Sequence, residues 1–194
     1  MVNPARKLSY TFAEYIAIDD ASATKHEYVN GEIFAMSGGT VKHGQIAANV
    51  IRTLGTQLLD RPCAVFTSDV RIRVLATGLA TYPDVSVICG SIDYDPEDKN
   101  TITNPVLLVE VLSDSTEDYD REEKSSHYRR IPSLREYLLV SQHERRITHL
   151  SRNDDGSWTL RDVTSSAVVQ LPSIGCDLSL DEVYRNPFSP SGGG

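Results

Sequence analysis

The chain has 194 residues, 40% of them hydrophobic and 24% charged, and a formal net charge of −8. That length suits one domain with a sizeable core. No window approaches the roughly 20 apolar residues of a membrane span, and the N-terminus lacks the apolar core of a signal peptide, so a cytoplasmic protein is expected. The acidic balance argues against a protein that coats nucleic acid through charge alone but leaves open an enzyme whose acids are offset by divalent cations. Cys63, Cys89 and Cys176 are odd in number and widely spaced, with no C-x-x-C. Their pattern predicts buried free thiols rather than a disulfide framework or a zinc cluster.

In chain order, Thr11 and Glu14 form a capping box that opens a helix over residues 12–18, with Tyr15 and Ile16 on its inner side. Tyr28-Val29 and Ile33-Phe34 flank Asn30-Gly31, a strong hairpin signal. After the Ser37-Gly38-Gly39-Thr40 break, Ile46, Val50, Leu54 and Leu58 recur at helical spacing within residues 41–59, and His43 lies one turn earlier on the same side. Strands are expected at 63–66, at 69–74 and at 81–89, where Pro83 stands near the start and tolerates its missing N–H. In the second of these, Asp69, Arg71 and Arg73 share one face. Residues 93–104 read as an acidic loop.

The stretch from Asn104 to Arg130 organises the rest. Val106, Leu107, Leu108, Val109, Val111 and Leu112 form an almost continuous apolar run, the pattern of a strand buried on both faces. Glu110 interrupts it, and a buried carboxylate needs a metal, a base or an N–H donor. Ser115 and Asp118 stand at capping-box-like spacing before a charged helix on which Asp120, Lys124, His127/Tyr128 and Ile131 fall in line. Pro132-Ser133 ends that helix. A buried strand follows at 136–140, then strands at 147–151, 158–162 and 168–171 as an antiparallel extension, and a helical turn at 179–184. The whole reads as an α/β fold with a single domain over residues 1–187 and a disordered tail over 188–194.

The chemistry-bearing constellation is Asp84 with Glu110. If their strands pair, the two carboxylates converge on one hard divalent cation, for which two carboxylates plus waters suffice. Taken alone, Asp84 reads equally well as a strand-end residue satisfied by solvent; for Glu110, inside an apolar run, that bland reading is weaker. Lys124 by itself reads as half of an exposed Asp120–Lys124 pair. His43 by itself reads as a packed or capping residue. Glu27 and Glu32 flank the Asn-Gly turn and read as hairpin surface, and Arg71 and Arg73 either touch phosphate or pair with local acids. No G-x-S-x-G, G-x-G-x-x-G or G-x-x-x-x-G-K pattern occurs, and Ser113 with His127 makes a triad only on paper.

Tyr82-Pro83-Asp84, Pro105-x4-Glu110-Val111-Leu112-Ser113, Asp120-x3-Lys124-x3-Tyr128 and Glu136-Tyr137, in that order, resemble the Uma-type family of restriction-endonuclease-like proteins in the PD-(D/E)XK nuclease superfamily. The HEYVNGEI segment and the helix near His43 fit the same family, so the resemblance covers nearly the whole chain. It implies a central mixed β-sheet flanked by helices and metal-dependent phosphodiester hydrolysis, with DNA as substrate and Mg²⁺ or Mn²⁺ as cofactor. Asp84 and Glu110 would be the metal ligands, and His43 would complete the site. The superfamily lysine sits two residues after the second acid, where this chain has Leu112; Lys124 on the next helix would take its place. Cutting both strands of a duplex takes two active sites, which a homodimer would supply. A different class is also open: a catalytically silent nuclease-fold module that binds nucleic acid or a partner protein, which the displaced lysine and the acidic charge favour. Hydrolysis of a smaller phosphodiester would use the same metal site.

Overall fold

The structure is a computed structural model that describes residues 9–165 and 167–188; residues 189–194 of the expected tail lie outside it. Thr11 and Glu14 close the capping box of α1 (Phe12–Asp20), each side chain bonding the other's backbone N–H. Strands β1 (His26–Val29) and β2 (Glu32–Ala35) form the expected hairpin. Asn30 and Gly31 both take positive φ, 52° and 85°, which is why asparagine followed by glycine suits this turn. Thr40 caps α2 (Val41–Gln57) by accepting the His43 N–H. Ile46, Val50 and Leu54 of α2 are buried, as their spacing predicts.

The segment expected as one strand over 81–89 is two. Ala80–Thr81 is β5, and after Pro83-Asp84 the chain resumes as β6 (Val85–Cys89). The two halves belong to different sheets. Proline supplies no ladder N–H and disfavours helical geometry before it, so the chain turns from one sheet into the other at that point. The smaller sheet also holds β4 (Arg71–Arg73) and β7 (Thr101–Ile102), the latter inside the expected acidic loop, and runs β2-β1-β5-β4-β7. The larger sheet contains β3 (Cys63–Thr67), β8 (Leu107–Val111), β9 (Glu136–Val140), β10 (Arg146–Arg152) and β11 (Trp158–Thr164), in the order β11-β10-β9-β8-β6-β3.

β8 is central, antiparallel to β6 on one side and parallel to β9 on the other, and all five of its residues are buried. Leu108 of β8, and Leu112 just past its end, face one core; Leu107, Val109 and Val111 face the other, under α2. β10 and β11 extend the sheet as expected. β12 (Val168–Leu171) instead leaves it and pairs with β13 (Cys176–Ser179), and that hairpin packs with α2 and α5 (Leu180–Val183). Glu136 ties the hairpin to the sheet: its carboxylate accepts from the Ser173 N–H at 3.2 Å and lies 2.9 Å from His149 Nε2.

The charged helix differs most from expectation. Ser115 and Asp118 form no capping box; Thr116 is the N-cap, without a side-chain bond. A short turn α3 (Glu117–Tyr119) passes into a π-helical segment over Asp120–Lys124 and then into α4 (Ser125–Tyr128). The wider π turn turns Asp120 and Lys124 inward, and both are buried.

The cysteines also correct the sequence reading. Cys63 and Cys89 face each other across β3 and β6 and form a disulfide, leaving Cys176 as the free buried thiol. Spacing along the chain carries no information about two cysteines brought opposite by antiparallel register. Thiol titration of the unfolded, unreduced protein should therefore find one reactive thiol per chain; three would overturn the pairing. No helix among the described residues is long and apolar enough to cross a membrane.

Candidate active site

The register of β6 and β8 pairs Val85 with Val109, so its continuation sets Asp84 across from Glu110 on the same sheet face. The two acids also exchange backbone contacts. The Val111 N–H donates to Asp84 Oδ2 at 2.7 Å, and the Asp84 N–H points at Glu110 Oε2 from 3.4 Å. From the start of α2, His43 Nε2 reaches Asp84 Oδ2 at 3.0 Å. Chiefly through that bond, and against the effect of burial, the imidazole pKa is raised. The loop before α2 passes so close to this ring that a Cβ on Gly39 would lie 2.7 Å from His43 Nδ1, a contact only glycine avoids.

Lys124 is not the exposed ion-pair partner of the bland reading. Its ammonium is buried among three carboxylates: Glu27 at 2.8 Å, Glu110 at 3.1 Å and Asp120 at 3.4 Å. Leu112, two residues after Glu110 on the same face, packs into the core instead. Tyr128 donates its hydroxyl to Glu110 Oε1 at 2.7 Å and meets Tyr137 edge-on; Tyr137 in turn donates to the Asp120 carbonyl at 3.1 Å. Thr81 donates to Glu27.

The electrostatics follow from the count. Glu27, Asp84, Glu110 and Asp120 face one ammonium and one imidazole, so the cluster lacks positive charge. The pKa of the Lys124 amine is raised well above its ordinary value, because the surrounding carboxylates outweigh its burial. One ammonium cannot neutralise every neighbour. Burial, opposed by Lys124 but reinforced by Asp120 and Asp84, pushes the Glu110 carboxyl up to about 8. These groups line a cleft of about 690 Å³, together with Phe34, Gly38 and Tyr119. Among the described residues, no three His, Cys, Asp or Glu side chains form a ready-made metal cage; the point where Glu27, Glu110 and Asp120 meet is filled by the ammonium.

The structure thus brings together Asp84, Glu110, Lys124 and His43. It separates the two hairpin acids: Glu27 is buried in the cluster and Glu32 is exposed. Arg71 and Arg73 stand elsewhere. Arg71 is buried against Asp19 and Asp98, each at 2.7 Å, and Arg73 pairs with Asp95 at 3.0 Å and Glu97 at 2.9 Å. Tyr128 and Asp120 were visible in the sequence only as members of the four-residue spacing that runs through Lys124. That spacing was the available signal for their place beside Glu110.

A mixed sheet flanked by helices, with a carboxylate on its buried central strand and a second acid where the neighbouring strand begins, is a restriction-endonuclease-like α/β fold. The chain belongs to the Uma2 family, whose model, described as "Putative restriction endonuclease", matches residues 12–181. Two proteins of Synechocystis sp. are similar to it. Uncharacterized protein slr1290 is 39% identical over 175 residues, covering 89% of this chain and 90% of that protein. Uncharacterized protein sll1609 is 34% identical over 153 residues, covering 79% and 86%. A crystal structure described as a putative nuclease belonging to DUF820, from Anabaena variabilis, shares the fold with a TM-score of 0.70 at 18% identity, over 84% of this chain and 91% of that one.

Proposed function

We propose that the protein is a divalent-metal-dependent phosphodiesterase, an endonuclease acting on DNA. The observation that carries this reading is the pairing of Asp84 with Glu110 at one cleft, in a cluster short of positive charge. The donor set fits a hard cation of the magnesium or manganese kind: carboxylate oxygens at the wall of a cleft wide enough for waters to complete the shell. Asp84 and Glu110 would hold it. Such an ion, when bound, stabilises charge on a phosphate and lowers the pKa of attacking water.

The chain's own groups supply the rest. The Val111 N–H and His43 both hold Asp84 Oδ2, which leaves Oδ1 for the ligand. Tyr128 and Lys124 hold Glu110 Oε1, which leaves Oε2 toward Asp84. The Lys124 ammonium orients the nucleophile or a phosphate oxygen, standing in for the lysine absent at Leu112. A homodimer in the cytoplasm that presents two such clefts to a duplex belongs to the same reading.

A second reading, a smaller phosphodiester as substrate, is favoured by one observation. Lys25, which lines the cleft, and Arg71 and Arg73, which stand away from it, are already paired with acids, so they are not free to grip a phosphate backbone.

Supercoiled plasmid, short oligonucleotides and a chromogenic phosphodiester, each incubated with Mg²⁺ or Mn²⁺, test both readings. Metal-dependent cleavage is expected, with calorimetry showing one ion per chain and weaker binding by Asp84→Asn. Neither binding nor cleavage would leave the silent binding module as the answer.

A further inference from the structure

Gln142 lies just beyond β9, outside every motif in the sequence, and is buried. Its two amide ends are both used. Nε2 donates to the Leu112 carbonyl at 2.6 Å, and Oε1 accepts from the Thr40 hydroxyl at 2.6 Å. Thr40 in turn caps α2 by accepting the His43 N–H at 3.0 Å. From His43 the path crosses to Asp84 Oδ2 and back to the Val111 N–H, one residue before Leu112. The bonds close a ring that joins the end of β8, the start of β6 and the first turn of α2.

We propose that Gln142 is a positioning residue that locks the His43 imidazole against Asp84. The chemistry at its position is specific. One end must donate to a carbonyl and the other must accept from a hydroxyl, at a reach of three side-chain bonds. Glutamate would set a carboxylate oxygen against the Leu112 carbonyl, leucine would satisfy neither partner, and asparagine is one carbon too short. Within the ring, α2 is tied to β8 twice, once through the His43–Asp84–Val111 bonds and once through Gln142 between Thr40 and Leu112; without Gln142 the capping turn keeps only the tie that the imidazole itself makes.

The inference rests on the reading of Asp84 as a ligand-bearing residue, but it is tested without turnover. In the wild type, the His43 ring proton shared with Asp84 should appear in proton NMR downfield of the amide envelope, protected from exchange. Gln142→Leu should lose that signal while keeping the far-ultraviolet circular dichroism of the fold. Thr40 is exposed, so Thr40→Val supplies a second break in the ring at a position with little packing to lose. Thr40→Ser, which keeps the hydroxyl, should retain the signal. If the wild type cleaves phosphodiesters, Gln142→Leu should lower kcat about tenfold or more with KM little changed. A folded Gln142→Leu or Thr40→Val protein that keeps the protected ring proton would overturn the proposal. If no substrate is cleaved, the endonuclease reading fails and the ring-proton result still decides the role of Gln142.

Discussion

Glu110→Ala should remove divalent-ion binding and lower cleavage by about a thousandfold, because a bound Lewis acid is worth several kcal/mol of transition-state charge stabilisation and about 4 kcal/mol corresponds to that factor. Glu110→Gln separates the charge from the shape, since the amide oxygen still accepts from Tyr128. It also exposes a pH effect in the metal-free protein. The Glu110 carboxyl is pushed up to about 8 in the fold, above its ordinary value of 4.5. The native state therefore binds that proton more tightly than the unfolded chain does. The associated stability is complete at low pH and is lost as pH rises through about 8. Calorimetric melting of the wild type between pH 5 and pH 9 should show this decline, about as wide as those two values imply, and Glu110→Gln should flatten it. Parallel profiles for the two proteins would sink the assignment of a protonated Glu110.

Lys124 carries the second large expectation. A lysine in an exposed helical ion pair, the reading of Lys124 taken by itself, could be truncated at little cost. Burial changes the sign of that argument. Lys124→Met leaves Glu27, Glu110 and Asp120 without their shared counter-ion, and breaking a buried pair by removing one partner costs about 3–5 kcal/mol. For a chain of this size that is a fall in melting temperature of roughly 6–20 °C. Adding Glu27→Gln to Lys124→Met should recover part of the loss, because it removes one of the stranded charges. Urea denaturation of the single and double variants measures both steps. An unchanged midpoint for Lys124→Met would show that the ammonium is not the counter-ion of the cluster.

Some of this molecule was legible in local patterning. The apolar run around Glu110, the Asn30-Gly31 turn, the Thr11 capping box and the spacing of Ile46, Val50 and Leu54 all act over a few residues, where periodicity and turn chemistry are decisive. Glu110 stood out for the same reason, as a charged interruption of an apolar strand, whereas Asp84, at the start of a strand, gained its meaning only when paired with Glu110. The errors lie elsewhere. Pro83 split a strand between two sheets, Thr116 rather than Ser115 began the charged helix, and Cys63 met Cys89 across an antiparallel register; the two halves of the split strand and the two cysteines found partners distant in the chain.

The sequence by itself determined that a buried carboxylate must sit on a central strand and find a partner there, because an apolar segment cannot hold an unpaired charge. Only the tertiary structure decided which partners it found. Antiparallel register set Asp84 opposite Glu110, the π turn carried Lys124 inward to three acids, and Gln142 bonded both Leu112 and Thr40, the latter 102 positions away in the chain. Those contacts depend on how strands align and how one helical turn widens, and neither quantity is written in the spacing of residues along the chain.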